Sequence, residues 1–184
     1  MKALDRFLQK WRIAKARPYV AAGSRVLDIG CADGALFDQL ADRIAAGVGI
    51  DPDLKEPVCR GTVRLMPGRF PDHLPALEPF DAVTMLAVLE HFPQDQLAPV
   101  ARACALALKP GGLLIITVPS PAVDRILHAL QRLRLLDGMD VHQHTGFDVR
   151  ATPALFLAAG LLLVKASTFQ LGLNHLFVFQ RPAS

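Results

Sequence analysis

The stretch Val26-Leu27-Asp28-Ile29-Gly30-Cys31-Ala32-Asp33-Gly34 decides the fold of this chain. Its apolar half, Val26 to Ile29, has the length and composition of a buried strand and ends directly in a glycine-containing turn. After the turn, apolar side chains recur at the spacing of a helix, at Leu36, Phe37, Leu40, Ala41 and Ile44. Strand, tight turn and helix in this order predict the first unit of a nucleotide-binding α/β sheet.

The spacing of the glycines separates two kinds of nucleotide loop. A dinucleotide-binding loop has the pattern G-x-G-x-x-G, whereas this chain has D-x-G-x-x-x-G, formed by Asp28, Gly30 and Gly34. A carboxylate at the mouth of the loop repels a pyrophosphate and suits a cationic ligand that carries an amino acid. The stretch resembles motif I of the class I S-adenosylmethionine-dependent methyltransferases. A strand, turn and helix without a special function is the alternative.

Length and composition predict one intracellular domain. The 184 residues suit a single domain over 1–184, with an N-terminal helix over 1–17 and a core over 18–181. The longest apolar runs are shorter than the roughly 20 residues that a membrane span requires, and charged residues at the start argue against a signal peptide. Three scattered cysteines without a C-x-x-C pair favour reduced thiols, so we expect a cytoplasmic protein without a metal site.

The net charge of +3 is small, but positive charge is concentrated in the N-terminal helix. Residues 2–16 predict an amphipathic helix whose apolar residues lie on one side, at Leu4, Phe7, Leu8, Trp11 and Ala14. Trp11 is therefore expected to anchor the helix to the core. We interpret the basic residues as a solvated face, with contact to nucleic acid or phosphate as the alternative.

The second predicted strand, Gly47 to Asp51, ends in an acid 21 residues after Gly30. A carboxylate there can accept both ribose hydroxyls of an adenosine-containing ligand, whereas a turn-capping role before Pro52 is the alternative. The resemblance implies that Asp51 binds the ribose and that Pro52 lines the adenine. Residues 53–60 are expected to form only a short helix.

The third predicted strand, Thr62 to Met66, is followed by Gly68-Arg69-Phe70. Many family members have an acid directly after this glycine, which accepts a hydrogen bond from the adenine amino group. Arg69 departs from that pattern, which leaves the contact in doubt or passes it to the backbone of Arg69 or Phe70. The Phe70 ring is expected to stack on the adenine or to belong to the core.

The segment from Phe80 to Phe92 contains a strand followed by Leu89-Glu90-His91. It resembles the fourth strand and exit loop of small-molecule methyltransferases such as the ubiquinone-biosynthesis O-methyltransferase type. Because parallel sheets bind ligands at the carboxyl ends of their strands, Met85, Leu86 and Ala87 are expected to line the cofactor. The Asn/Asp-Pro-Pro-aromatic tetrad of adenine and glutamine methyltransferases is missing here, which disfavours a nucleic-acid substrate.

The remaining segments complete the expected sheet. Leu-Lys-Pro-Gly-Gly at 108–112, after a helix over 93–108 and before a strand over 113–118, is also typical of the family. A helix around 123–133, an irregular loop over 137–148, a helix over 152–159 and strands over 161–169 and 175–180 follow. The predicted fold class is α/β: a Rossmann-like, seven-stranded, mostly parallel sheet with one antiparallel strand and helices on both faces.

The resemblance implies an S-adenosylmethionine-dependent methyltransferase that acts on a small-molecule acceptor by in-line displacement. The predicted contacts to the methionine part of the cofactor are Asp28, Gly30, Cys31 and Gly34. The candidate catalytic bases are His91, His142 and His144, because an unperturbed imidazole titrates at about pH 6.5. A structural hydrogen bond for His91 and simple exposure for the two loop histidines are the alternatives.

Several points stay open at the level of sequence. They include the acceptor and the atom methylated, the use of a general base, the presence of turnover and the oligomeric state. A cofactor-binding accessory protein without turnover is the first alternative function, and an NAD-type oxidoreductase is the second.

Overall fold

The structure is a computed structural model, and it describes residues 3–120 and 147–183. The helix predicted around 123–133 and the greater part of the loop over 137–148 lie outside the described residues. The described helices and strands, in chain order, are α1 (Ala3–Ala16), β1 (Ser24–Ile29), α2 (Ala35–Leu40), β2 (Ile44–Asp51), β3 (Val58–Arg60), β4 (Val63–Pro67), β5 (Phe80–Leu86), α3 (Leu97–Ala107), β6 (Leu108–Pro119), α4 (Thr152–Ala158), β7 (Leu162–Phe169) and β8 (Asn174–Gln180). Short 3₁₀ turns cover Arg17–Tyr19, Leu89–His91, Gln94–Gln96 and Val149–Ala151.

These strands form one sheet in the order β3-β4-β2-β1-β5-β6-β8-β7. β1 lies between β2 and β5 and is parallel to both, with Val26 opposite Gly47 on one side and Ala82 on the other. β8 runs antiparallel to β6 and pairs with β7 as a closing hairpin. The predicted fold class, a mostly parallel Rossmann-like sheet, is confirmed.

The sheet carries one strand more than predicted, and this strand replaces the short helix expected over 53–60. β3 pairs antiparallel with β4, with Val58 opposite Leu65 and Arg60 opposite Val63. Gly61 has a φ of 59° and supplies the tight turn between the two strands. The sheet therefore contains two antiparallel strands, β3 and β8, rather than one.

Two other element boundaries differ from the sequence prediction. The helix after the glycine turn stops at Leu40, because Ile44 already pairs with Ser24 at the start of β2. Lys109 lies in β6 rather than in the last turn of the preceding helix. In both places strand pairing across the sheet overrides the local helical pattern.

Helices cover both faces of the sheet, as predicted. On one face α3 and α4 contribute Val100 and Phe156 to a core that also contains Leu27 of β1. On the other face α1 and α2 contribute Ile13 and Phe37 to a core that contains Val26 of β1. Neighbouring residues of β1 thus enter different cores, which explains why the central strands are largely apolar on both faces.

The orientation of α1 differs from the prediction. Among residues 6–16 of this helix, Ile13 and Ala16 are buried, whereas Phe7 is 57% exposed and Trp11 is 37% exposed. The expectation that Trp11 anchors the helix to the core is therefore wrong. No helix within residues 3–120 and 147–183 is long and apolar enough to cross a membrane.

Candidate functional site

The glycine turn after β1 is held tightly against the end of β2. The backbone N–H of Gly30 donates to the carbonyl of Ile50 at 2.8 Å, and that of Gly34 donates to the carbonyl of Cys31 at 2.8 Å. Gly30 has a φ of 74°, and a Cβ atom placed on it would lie 2.4 Å from Cγ2 of Val88. Only glycine fits here, because the loop after β5 passes directly over the turn.

Asp28 is a buried carboxyl group at the carboxyl end of β1. The hydroxyl of Thr84 donates to its Oδ1 at 2.6 Å. Burial raises the pKa of Asp28 from 3.8 to about 7, the hydrogen bond from Thr84 opposes this rise, and the nearby Asp51 adds to it. A cationic ligand group beside Asp28 would therefore favour the charged carboxylate and would itself be bound more tightly.

Asp51, at the carboxyl end of β2, ties two turns together. Its Oδ2 accepts the backbone N–H of Ala32 at 2.8 Å, and its Oδ1 accepts that of Asp53 at 2.9 Å. The side chain thus has the turn-capping role that the sequence left as an alternative. Each carboxylate oxygen has a second lone pair, so this role is compatible with hydrogen bonds from ribose hydroxyls.

A cleft of about 940 Å³ opens where β1, β2 and β5 end. Its walls include Asp51 and Pro52 after β2, and Ala87 and His91 after β5. An adjoining pocket of about 340 Å³ lies on the side of β4 and contains Phe70. A smaller pocket of about 40 Å³ lies between α1 and the glycine turn, and it is lined in part by Asp28, Cys31 and Leu86.

Most of the predicted site residues with described positions meet at this edge of the sheet. Two do not line these pockets: Met85 is fully buried in the core, and Gly34 begins α2, where its Cα faces the Leu65 side chain. His142 and His144 lie outside the described residues. Of the three candidate bases, His91 is the one within the described residues, and it lines the cleft.

Three residues that the sequence analysis missed also contribute to the cleft. Gln9 and Arg12 of α1 line it, and the Gln9 amide donates to Oδ1 of Asp33 in the glycine turn at 3.1 Å. Val88 lies above Gly30. The helical spacing of Gln9 and Arg12 with the buried Ile13 and Ala16 was a signal that α1 turns this side toward the sheet.

The backbone of Arg69, one of the two places to which the sequence could pass the adenine contact, is engaged within the chain. Its backbone N–H donates to Nδ1 of His73 at 2.9 Å, so this donor is already used. The neighbouring Phe70 is buried and lines the adjoining pocket, which also includes the carboxylate-bearing Asp72. An acidic side chain is thus present three residues after the position where the family pattern places one.

Comparison with known proteins agrees with this geometry. The methyltransferase-domain family matches residues 2–166, which is most of the chain and includes α1. The chain belongs to this family, the class I S-adenosylmethionine-dependent methyltransferases, and the resemblance predicted from motif I is confirmed.

Three similar proteins illustrate the relationship. A ubiquinone biosynthesis O-methyltransferase from Idiomarina loihiensis is 36% identical over 68% of this chain and 56% of its own length. One from Stutzerimonas stutzeri is 40% identical over 50% of this chain and 42% of its own. The structure of N-methyltransferase NodS from Bradyrhizobium japonicum with S-adenosylhomocysteine has a TM-score of 0.69 at 18% identity, covering 95% of this chain and 88% of NodS. The chain spans about half the length of these two curated relatives.

Proposed function

We propose that the cleft binds S-adenosylmethionine and that the protein transfers a methyl group to a small-molecule acceptor. One observation carries this proposal: two buried carboxyl groups, Asp28 and Asp51, lie at the carboxyl ends of adjacent parallel strands, and Gly30, which has no side chain, lines a pocket with each of them. An ammonium group and vicinal ribose hydroxyls are donors that such carboxylates accept. The residues at this edge of the sheet therefore fit the cofactor of the family.

In this arrangement Asp28 binds the ammonium group of the methionine part, and Arg12 across the pocket binds its carboxylate. Asp51 accepts the ribose hydroxyls, and Pro52 with Phe70 lines the adenine. Cys31 packs beneath the cofactor. Burial, together with the negative charges of Asp28 and Asp51, raises the pKa of the Cys31 thiol, so it stays protonated and does not act as a nucleophile.

The bound cofactor supplies a methyl group on a good leaving group, so the protein contributes alignment and the exclusion of water. His91 lines the cleft next to the proposed cofactor side, in the loop after β5. The curated relatives are named O-methyltransferases, and we propose a hydroxyl acceptor for this chain too. Such an acceptor loses a proton during transfer, and His91 is the described residue placed to take it.

Calorimetric titration with S-adenosylmethionine, S-adenosylhomocysteine and NADH tests the cofactor. We expect the two sulfur ligands to bind and NADH to give no heat. Binding of NADH in place of the sulfur ligands would favour an oxidoreductase. Binding of the sulfur ligands without turnover of any hydroxylated acceptor would favour an accessory protein.

Replacing Asp51 by alanine is expected to weaken S-adenosylhomocysteine binding by about 1–3 kcal/mol, the scale for buried groups that lose hydrogen bonds. The free energy of unfolding should fall as well, because the N–H groups of Ala32 and Asp53 lose their acceptor. Calorimetry and denaturant unfolding measure the two effects, with Asp95→Ala, an exposed acid, as the control. Unchanged affinity in a folded Asp51→Ala protein would refute the ribose assignment.

Replacing His91 by alanine is expected to lower kcat by at least about 100-fold, the usual scale for losing a general base, while cofactor affinity stays within twofold. His91→Asn can still form hydrogen bonds but cannot serve as the base, so it should be equally slow. Turnover with a hydroxylated acceptor and calorimetry give the two readouts. A His91→Asn protein with the kcat of the wild type would exclude His91 as the general base. A loss of cofactor affinity would instead place His91 against the cofactor.

We further expect Asp72 to take over the adenine contact that Arg69 cannot make. The amino group of adenine is a donor, whereas the keto group of hypoxanthine at the same place is an acceptor, so a carboxylate should favour adenine. We expect S-adenosylhomocysteine to bind about tenfold or more tighter than S-inosylhomocysteine, and Asp72→Asn to remove most of this preference. Asp95→Asn removes the same charge from an exposed acid and serves as the control. A preference that survives in Asp72→Asn would exclude this role without affecting the cofactor assignment.

A further inference from the structure

The outer face of α1 carries an apolar stripe that no described part of the chain covers. Phe7 and Trp11 are 57% and 37% exposed and lie one helical turn apart, followed by the exposed Ala14. The two rings pack edge to face, with centroids 5.5 Å apart at an interplanar angle of 69°. A contiguous exposed stripe of this kind marks an interaction surface rather than a solvated helix face.

Cations border this stripe on both sides. Residues 6–17 contain five lysines and arginines and no acidic residue. At 3.6 residues per turn, the exposed Arg6 and Lys10 lie along one edge of the stripe and Lys15 along the other. The remaining two cations are engaged elsewhere: Arg12 lines the cleft, and Arg17 pairs with Asp42 at 3.2 Å.

We propose that this face of α1, formed by Phe7, Trp11 and the flanking Arg6, Lys10 and Lys15, docks on an anionic lipid surface. Exposed aromatic rings between cations are typical of helices that lie in the membrane interface, where the rings enter at the level of the headgroups and the cations meet lipid phosphates. The helix is 14 residues long and lies along the surface without spanning it.

The geometry favours lipid over nucleic acid, although both are anionic. Nucleic-acid bases stack on the flat faces of aromatic side chains. In α1 the edge of one ring is turned toward the face of the other, so the pair does not offer two parallel open faces. The membrane interface requires no parallel ring faces, so both rings can insert between the lipid headgroups together.

Docking through this face would leave the cleft on the far side of α1 from the lipid. The opposite side of the same helix carries Gln9 and Arg12, which line the cleft. The docking itself does not depend on the methyltransferase proposal, because it rests on the outer face of α1 alone.

Trp11 makes the test direct, because it is the sole tryptophan of the chain and its fluorescence reports on this contact. The protein is mixed with vesicles of phosphatidylcholine and phosphatidylglycerol, and with vesicles of phosphatidylcholine alone. We expect a blue shift of the emission and protection from acrylamide quenching with the anionic vesicles only. The paired change Lys10→Gln with Lys15→Gln should weaken vesicle binding about 30-fold, the loss expected for two cations at an anionic surface.

Matched variants locate the contact. Phe7→Ser should weaken vesicle binding about tenfold or more, as expected for an aromatic ring withheld from the interface, whereas Leu162→Ser, which changes a similarly exposed residue on β7, should leave it unchanged. Circular dichroism checks that each variant is folded. The proposal is overturned if anionic vesicles leave Trp11 emission unchanged, if Leu162→Ser has the same effect as Phe7→Ser, or if single-stranded RNA shifts the emission while vesicles do not.

Discussion

Replacing Gly30 by alanine is expected to abolish measurable S-adenosylhomocysteine binding and to lower the free energy of unfolding by about 2–5 kcal/mol. Two costs combine in this estimate. A side chain at a φ of 74° is strained, and the new Cβ would lie 2.4 Å and 2.9 Å from the two methyl carbons of Val88. Relief of the clash must move Val88 or the turn, and both line the cleft in which we propose that the cofactor binds.

The chain contains a control that separates the two costs. Gly23 has nearly the same φ, 75°, but a Cβ placed on it would have no heavy atom within 4 Å. Gly23→Ala should therefore lose only about 1–2 kcal/mol and retain full binding. Adding Val88→Ala to Gly30→Ala should recover part of the lost stability, because the colliding methyl groups are gone. Denaturant unfolding and calorimetry on the four proteins provide the comparison. Equal effects of Gly23→Ala and Gly30→Ala would show that the contact with Val88 does not matter.

The parts of this site that are local in sequence were predictable. The turn after β1 follows from an apolar run that ends in Gly30, and the position of Asp51 follows from a second short apolar run. Buried parallel strands leave this signal because each is apolar on both faces. The contact between Gly30 and Val88 is different, since it joins residues 58 positions apart and leaves no pattern in either segment.

The errors also have a physical origin. The expectation for α1 followed the larger apolar residues, Phe7 and Trp11, whereas the helix buries the smaller Ile13 and Ala16 close to the sheet. Residues 58–60 form a strand instead of the expected helix, because Gly61 permits a tight turn and β4 offers a free strand edge for pairing. In both cases tertiary contacts override a local preference. The same inversion of α1 is what brings Gln9 and Arg12 into the cleft and leaves an aromatic stripe outside.

The burial of Asp28 lowers the stability of the folded protein. Burial disfavours the charged form of this carboxyl group. The hydrogen bond from Thr84 offsets only part of that cost, so the pKa is raised to about 7. Such a group lowers stability near neutral pH unless a cation is bound beside it. Strong perturbation of this kind is common where a protein is built to bind charge.

Replacing Asp28 by asparagine should therefore change stability and binding in opposite directions. The pKa of Asp28 is about 7 in the folded protein, against the ordinary value of 3.8. Between these values Asp28 holds a proton in the folded protein that it has released in the unfolded chain, so the contribution of Asp28 to the free energy of unfolding falls as the pH rises from about 4 to 7. Asp28→Asn should remove this fall and be more stable than the wild type at pH 8 by about 1–3 kcal/mol, less than the full pKa effect because the hydrogen bond from Thr84 weakens.

Binding should respond with the opposite sign, because the asparagine cannot neutralise the ammonium group of the ligand. We expect Asp28→Asn to bind S-adenosylhomocysteine at least about 30-fold more weakly at pH 8, the scale for truncating a buried charge pair. Wild-type affinity should rise as the pH increases through about 7, since the carboxyl group must be ionised in the complex, and the variant should lack this rise. Denaturant unfolding and calorimetry between pH 5 and 8 measure both effects, with Asp95→Asn, an exposed acid outside the glycine turn, as the control. If Asp28→Asn is stabilised but its affinity is unchanged, burial of the carboxylate does lower stability but Asp28 does not contact the ligand. If Asp28→Asn is destabilised, burial of the carboxylate does not lower stability.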